Sequence, residues 1–193
     1  MSLPEVFRRI TTALDQAGIA YMLTGSFASA HYGAPRSTQD IDLIIAPTVP
    51  QLRTFIQSLS VDQYYADLDA ALEAYRRESL FNVIDLTTGW KIDLIFRKSR
   101  PFSQEEFSRR QMVTLQDLRL FVATAEDVVI AKLEWSKLAN SQRQIEDAAS
   151  ILRLRSGALD QPYLDKWLTE LGLQEQWVAA TLTAGLPTRG KEL

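Results

Sequence analysis

The chain has 193 residues, 46% of them hydrophobic and 23% charged, and a formal net charge of −3. That composition suits one globular domain, or one domain with a helical appendage, and excludes a wholly basic nucleic-acid binder while leaving room for a local basic patch. The absence of cysteine removes disulfides and Cys-based zinc sites, and the single histidine, His31, argues against a multi-His metal site or a Ser-His-Asp triad.

The opening segment, MSLPEVFRRITTALDQAG, places Val6, Ile10, Ala13, Leu14 and Ala17 at helical spacing, and Gly18 ends that helix. It is amphipathic rather than continuously apolar, which predicts no signal peptide; no stretch reads as a membrane span, and the expectation is a soluble cytoplasmic protein. IAYMLTG reads as a short buried strand ending at Gly25, and SFASAHYG as a helix closing at Gly33. APRSTQ is a loop. DIDLIIA is a strand with Ile41, Leu43 and Ile45 on one face and Asp40, Asp42 and Ile44 on the other. Pro47 and Pro50 lead into a helix over 50–59, and a second helix is expected over 67–77.

LFNVIDLTTGWKIDLIF is the clearest hairpin, two β-rich runs around Thr88-Gly89. A further pair of strands is expected within QMVTLQDLRLFVAT. From Thr124 the pattern turns helical, with Thr124 and Asp127 as a capping pair and helices over 125–139, 142–155, 161–171 and 173–184. The tail GLPTRGKEL is expected to fray. The expected fold class is α/β: a mixed β-sheet flanked by helices over 1–123, then a C-terminal helical region over 124–193.

The chemistry concentrates at Asp40 and Asp42. With a side-chain period of two, both point to one face of their strand, and like charges so close need a cation between them. Oxygen ligands converging from one side suit a hard divalent ion, Mg²⁺ or Mn²⁺. Asp93, another acid embedded in apolar strand residues, completes a three-carboxylate site if its strand lies beside that of Asp40 and Asp42. Asp85, on the preceding strand of the hairpin, competes for that place, and register decides between them. Gly25-Ser26 follows a strand and opens a helix, where free N–H groups and the positive dipole end suit phosphate. Together these features suggest a nucleoside triphosphate held between metal and helix end, with a hydroxyl attacking the α-phosphorus.

Gly25-Ser26, a spacer, Asp40-x-Asp42 and the later strand aspartate resemble the nucleotidyltransferase superfamily, the fold of DNA polymerase β and its relatives, over roughly the first half of the chain. Within it, RSTQDIDLII most resembles the bacterial AbiEii-type group, several of whose members act as toxins in type IV toxin–antitoxin systems. The resemblance implies a nucleotidyltransferase fold and transfer of a nucleoside monophosphate from an NTP to a hydroxyl acceptor, with Mg²⁺ or Mn²⁺ as cofactor. It implies Asp40, Asp42 and Asp93 as catalytic metal ligands, Gly25, Ser26, Arg36 and Lys132 as nucleotide contacts, and Asp147 as an acid or base. RNA such as tRNA, a protein or a small molecule of the aminoglycoside type are the candidate acceptors, and a cognate antitoxin is a candidate partner. The alternative is a nucleotide- or partner-binding regulator without turnover.

Simpler roles compete at several positions. Ser26 also suits a plain N-cap, Lys132 a solvated helix lysine, and Asp147 an ion pair with Arg143. His31 is expected to pack or lie exposed. Arg97, Lys98, Arg100, Arg109 and Arg110 gather after the hairpin, either as ordinary surface or as a phosphate-tracking patch, with Tyr64, Tyr65, Trp90 and Phe102 as candidate stacking residues. Trp135, Trp167 and Trp177 are expected as core or helix-packing residues.

Overall fold

A computed structural model of the chain describes residues 3–33, 37–115 and 117–187. In chain order the elements begin with α1 (Leu3–Gln16), β1 (Tyr21–Leu23), α2 (Gly25–Tyr32), β2 (Asp40–Ile45), α3 (Val49–Ser58), β3 (Tyr64–Ala66) and α4 (Leu68–Arg76). They continue with β4 (Leu80–Asp85), β5 (Lys91–Phe96), α5 (Pro101–Ser108), β6 (Gln111–Leu115) and β7 (Leu118–Val122). The rest is helical: α6 (Ala125–Ala139), α7 (Gln142–Arg155), a single 3-10 turn, α8 (Gln161–Glu170) and α9 (Gln174–Thr183). Among the described residues no helix is long and apolar enough to cross a membrane. Arg36 and the last six residues of the expected frayed tail lie outside the described residues.

The chain divides into two compact units. One holds residues 1–24 and 37–123, the other residues 25–36 and everything from Thr124 onward. Helix α2, placed by its sequence position among the strands, packs with α6 and α7.

The first unit is built on a seven-stranded sheet of order β3-β4-β5-β2-β1-β7-β6. It is mixed: β2 runs parallel to β5 and β1 to β7, while β1/β2, β3/β4, β4/β5 and β6/β7 are antiparallel. Strand β5 alternates strictly, and β2 does so from Asp40 to Leu43 before ending on Ile44 and Ile45, both buried. Ile41, Leu43, Ile92, Leu94 and Phe96 are buried, and the intervening residues from Asp40 to Asp42 and Lys91 to Ile95 are half-buried. Removing each such Leu or Ile side chain from water contributes about 1.5–3 kcal/mol, so slipping β5 by one residue would exchange that gain for buried charge. The expected hairpin is present, closed by Asp85 N–H donating to the Trp90 carbonyl.

Helix α3 packs between α1 and α4. A reciprocal capping box between Thr48 and Gln51 starts it, and Gln51 Nε2 also donates to the Gly18 carbonyl at 2.6 Å. Gly18 stands at φ +68°, a backbone state costly for any residue with a Cβ, so α1 turns sharply there before entering β1. Two elements had no signal in the periodicity: β3, an edge strand of only three residues, and α5, started by Pro101.

The second unit is helical. Thr124 caps α6 as expected: its Oγ1 accepts from the Asp127 N–H and donates to Asp127 Oδ2 at 2.6 Å. Asn140, in the left-handed conformation, ends that helix. Trp167 is buried, but Trp135 is 53% exposed, which removes the core alternative for it.

Candidate active site

The carboxylate face is a consequence of register. In the parallel β2/β5 pair, Asp40 stands opposite Lys91 and Asp42 opposite Asp93. Residues opposite one another share a face of the sheet, so Asp40, Asp42, Lys91 and Asp93 all lie on the face turned away from Ile41, Leu43, Ile92 and Leu94. The antiparallel β4/β5 pair adds Asn82, directly opposite Asp93, whose side-chain amide donates to Asp93 Oδ1.

Asp85 does not share that face. It alternates with Phe81 and Val83 on the buried side of β4 and is fully buried. Its carboxylate is bound by the Arg9 guanidinium, and Oδ1 accepts from Thr87 N at 2.9 Å and Thr87 Oγ1 at 2.6 Å. Asp85 therefore holds the hairpin turn to α1, and Asp93 is the acid that stands beside Asp42.

Lys91 is the residue that sequence reading passed over. Its ammonium lies 3.3 Å from Asp40 Oδ1 and 3.1 Å from Asp93 Oδ2. Burial alone would lower the lysine pKa. The hydrogen bond and charge of Asp93, with those of Asp40, outweigh it, and the pKa is raised. The group is accessible: the Lys91 side chain is 42% exposed, that of Asp40 48% and that of Asp93 13%. The strand period could have found it, since Lys91 precedes Asp93 by two residues and so must share its face.

The donor set is carboxylate oxygen, which suits a hard cation by chemistry, and the contacts of Lys91 make this a place where positive charge is held. Among the described residues, however, no group of three or more His, Cys, Asp or Glu stands close enough to hold a metal ion. The three acids share a face but are not gathered around one point, and the Lys91 ammonium sits between two of them.

The remaining described candidates lie in the helical unit. Gly25 begins α2 at φ +64°, the left-handed state that its missing Cβ permits, and Ser26 follows, buried, in the first turn. Thr24, the preceding residue, closes the β1/β2 ladder by donating its N–H to the Asp42 carbonyl at 3.0 Å. Lys132 and Asp147 meet each other: Nζ donates to Asp147 Oδ2 at 2.8 Å, with the two side chains only 6% and 8% exposed. Asp147 thus pairs across α6 and α7 with Lys132. His31 packs edge-to-face on Tyr32, and burial with the nearby Arg155 charge lowers its pKa.

The basic cluster of the sheet unit is partly organised by aromatics. Arg97 lies over the Phe107 ring, Arg100 over Phe102, and Arg110 over both Phe107 and Phe121. Phe102 and Tyr64, two of the candidate stacking residues, are buried, whereas Tyr65 is exposed.

These features can be compared with known proteins. The chain superposes on an antigenic nucleotidyltransferase-like protein from Paracoccidioides brasiliensis with a TM-score of 0.54, at 14% identity over 93% of this chain and 92% of that one. A weaker match, with a TM-score of 0.49 at 12% identity over 94% of this chain and 96% of that one, is to ANT(2")-Ia in complex with adenylyl-2"-tobramycin. No protein-family model and no curated protein sequence matches the chain. The mixed sheet, its flanking helices and the helical region that follows define a nucleotidyltransferase-like fold.

Proposed function

We propose that the protein is a metal-dependent nucleotidyltransferase that moves a nucleoside monophosphate from an NTP to a hydroxyl acceptor. The observation that carries this reading is the register of β2 and β5, which puts Asp40, Asp42 and Asp93 on one accessible face of a nucleotidyltransferase-like fold. Asp40, Asp42 and Asp93 would hold Mg²⁺ or Mn²⁺, which when bound neutralises charge on the phosphate oxygens. Asp93 accepts the proton of the attacking hydroxyl. A bond forms between that oxygen and the α-phosphorus, the bond from the α-phosphorus to the bridging oxygen breaks, and pyrophosphate leaves. Positioning and charge neutralisation supply most of the rate.

The phosphate contacts proposed in the helical unit are Gly25, Ser26 and Lys132. The first two offer the N-terminal N–H groups of α2. Lys132 is bound to Asp147, so a phosphate role for it requires phosphate oxygens to replace that carboxylate. Its test is NTP affinity in Lys132→Met beside Asp147→Asn. The AbiEii-type resemblance of RSTQDIDLII supports an RNA or protein acceptor and a place in a toxin–antitoxin pair, and Arg97, Lys98 and Arg109 are the basic residues an RNA would meet in the sheet unit. An aminoglycoside-type small molecule is the further candidate acceptor in the trial set.

A second reading, a nucleotide-binding regulator without turnover, is favoured by one feature: the acids already have a cation in Lys91. One experiment separates the two. The protein is titrated with Mg²⁺ and each NTP, pyrophosphate release is followed, and the series is repeated with total RNA and with aminoglycosides. Release that requires both metal and one class of acceptor supports transfer. NTP binding with no release in any series supports the regulator.

A further inference from the structure

We infer that Lys91 is a built-in competitor for the cation site: its ammonium holds the acidic face in a metal-free resting state and must leave before a divalent ion can enter. This rests on the reading of Asp40, Asp42 and Asp93 as the cation-binding face, and goes beyond it by assigning a role to a residue outside the ligand set.

Three observations carry the inference. The ammonium lies within 3.3 Å of Asp40 and 3.1 Å of Asp93, so it contacts carboxylates from two adjacent strands and occupies the space between them. The acids are not drawn around one point. A fixed ammonium between two carboxylates keeps them apart at hydrogen-bonding distance from itself, whereas a shared Mg²⁺ needs them closer, at about 2.0–2.1 Å from one centre. Finally, the lysine has somewhere to go. Its side chain is 42% exposed, and its flexible four-carbon stem can turn the ammonium into water, giving up the two carboxylate contacts for hydration. A buried lysine would lock the site; this one gates it.

The consequence is competition. One positive charge already compensates the acids, so a divalent ion gains less on arrival than it would at a bare carboxylate face. Removing the ammonium should raise metal affinity even though no ligand changes. An alternative role, in which Lys91 stays in place and assists the bound ion, predicts the opposite.

The test uses the full chain with Mn²⁺ alone and no nucleotide, read by calorimetry and by melting temperature. Wild type, Lys91→Met, Lys91→Arg and Lys91→Met/Asp42→Asn are compared. The expected result is that Lys91→Met binds Mn²⁺ about tenfold more tightly than wild type. Lys91→Arg, which keeps the charge, should stay near wild type, and the double variant should lose the gain. Without metal, Lys91→Met should melt a few degrees lower because the acids then repel, and Mn²⁺ should restore it. Wild-type binding with equal or weaker binding by Lys91→Met overturns the role of Lys91 and leaves the cation face standing. Mn²⁺ binding to neither protein overturns both.

Discussion

Two lysine–aspartate contacts, one in each unit, show how environment decides what an ion pair is for. Lys132 and Asp147 in the helical unit are 2.8 Å apart and more than nine-tenths buried, whereas Lys91 meets Asp40 and Asp93 at similar range on a face open to water. The buried pair cannot be separated cheaply, because each charge left alone loses both its partner and its hydration. The Lys91 contacts contribute less, since water replaces the half-exposed Lys91 and Asp40, although Asp93 is largely covered. A cation can therefore be exchanged at low cost only at the accessible set, and a phosphate that displaces Asp147 from Lys132 has to offset a larger cost.

Breaking the buried pair should have the largest effect. Asp147→Ala is expected to destabilise the protein by about 3–5 kcal/mol in urea unfolding followed by circular dichroism. A loss below about 1 kcal/mol would show that the pair does not support the helical unit. Next comes the contrast between the two hairpin acids. Asp85→Ala removes the partners of Arg9 and Thr87 at a fully buried position and should cost about 2–4 kcal/mol. Asp93→Asn keeps the shape of a side chain that is not fully buried and should stay within about 1 kcal/mol of wild type while abolishing transfer. Equal losses of stability would erase the distinction between a structural and a functional acid.

A smaller effect concerns pH. Burial pushes the Tyr32 pKa up from 10.0 to about 12, with Glu126 and Asp127 adding to the rise and Arg155 opposing it. A folded-state pKa above the unfolded one favours the neutral phenol in the native protein. Its stabilisation is complete below pH about 10 and is lost as pH rises from there through the folded-state value. Tyr21 and Tyr64 are also raised by burial, so absorbance titration of tyrosinate should show several late phenols, of which Tyr32→Phe removes one. A titration identical in the variant would contradict the assignment.

Much of this was legible in the sequence because it follows from short-range periodicity. The alternation in DIDLII and KIDLIF put the acids on the polar side of each strand, and Thr-Gly marked the hairpin between LFNVID and KIDLIF. Helices α6 to α9 followed from their 3.6-residue pattern and from Thr124. What stayed hidden depends on distant residues. Nothing local says that β5 pairs with β2 in parallel, and that pairing alone sets Asp93 beside Asp42. Nothing in SFASAHY says that α2 packs with α6 and α7, since such contacts join residues more than ninety positions apart. Strand β3 escaped because three residues carry too little pattern. Lys91 was missed for a different reason: negative charge marks a cation site, and the residue two positions before Asp93 carries the opposite sign.

The most direct test of the acidic face is transfer of label from radiolabelled NTPs to total RNA or to the protein, in Mg²⁺, by wild type beside Asp42→Ala, with circular dichroism to confirm that the variant folds. The proposed chemistry predicts labelling by wild type and none by the folded variant. Labelling that persists in Asp42→Ala would place the reaction elsewhere in the molecule and contradict the assignment of Asp40, Asp42 and Asp93.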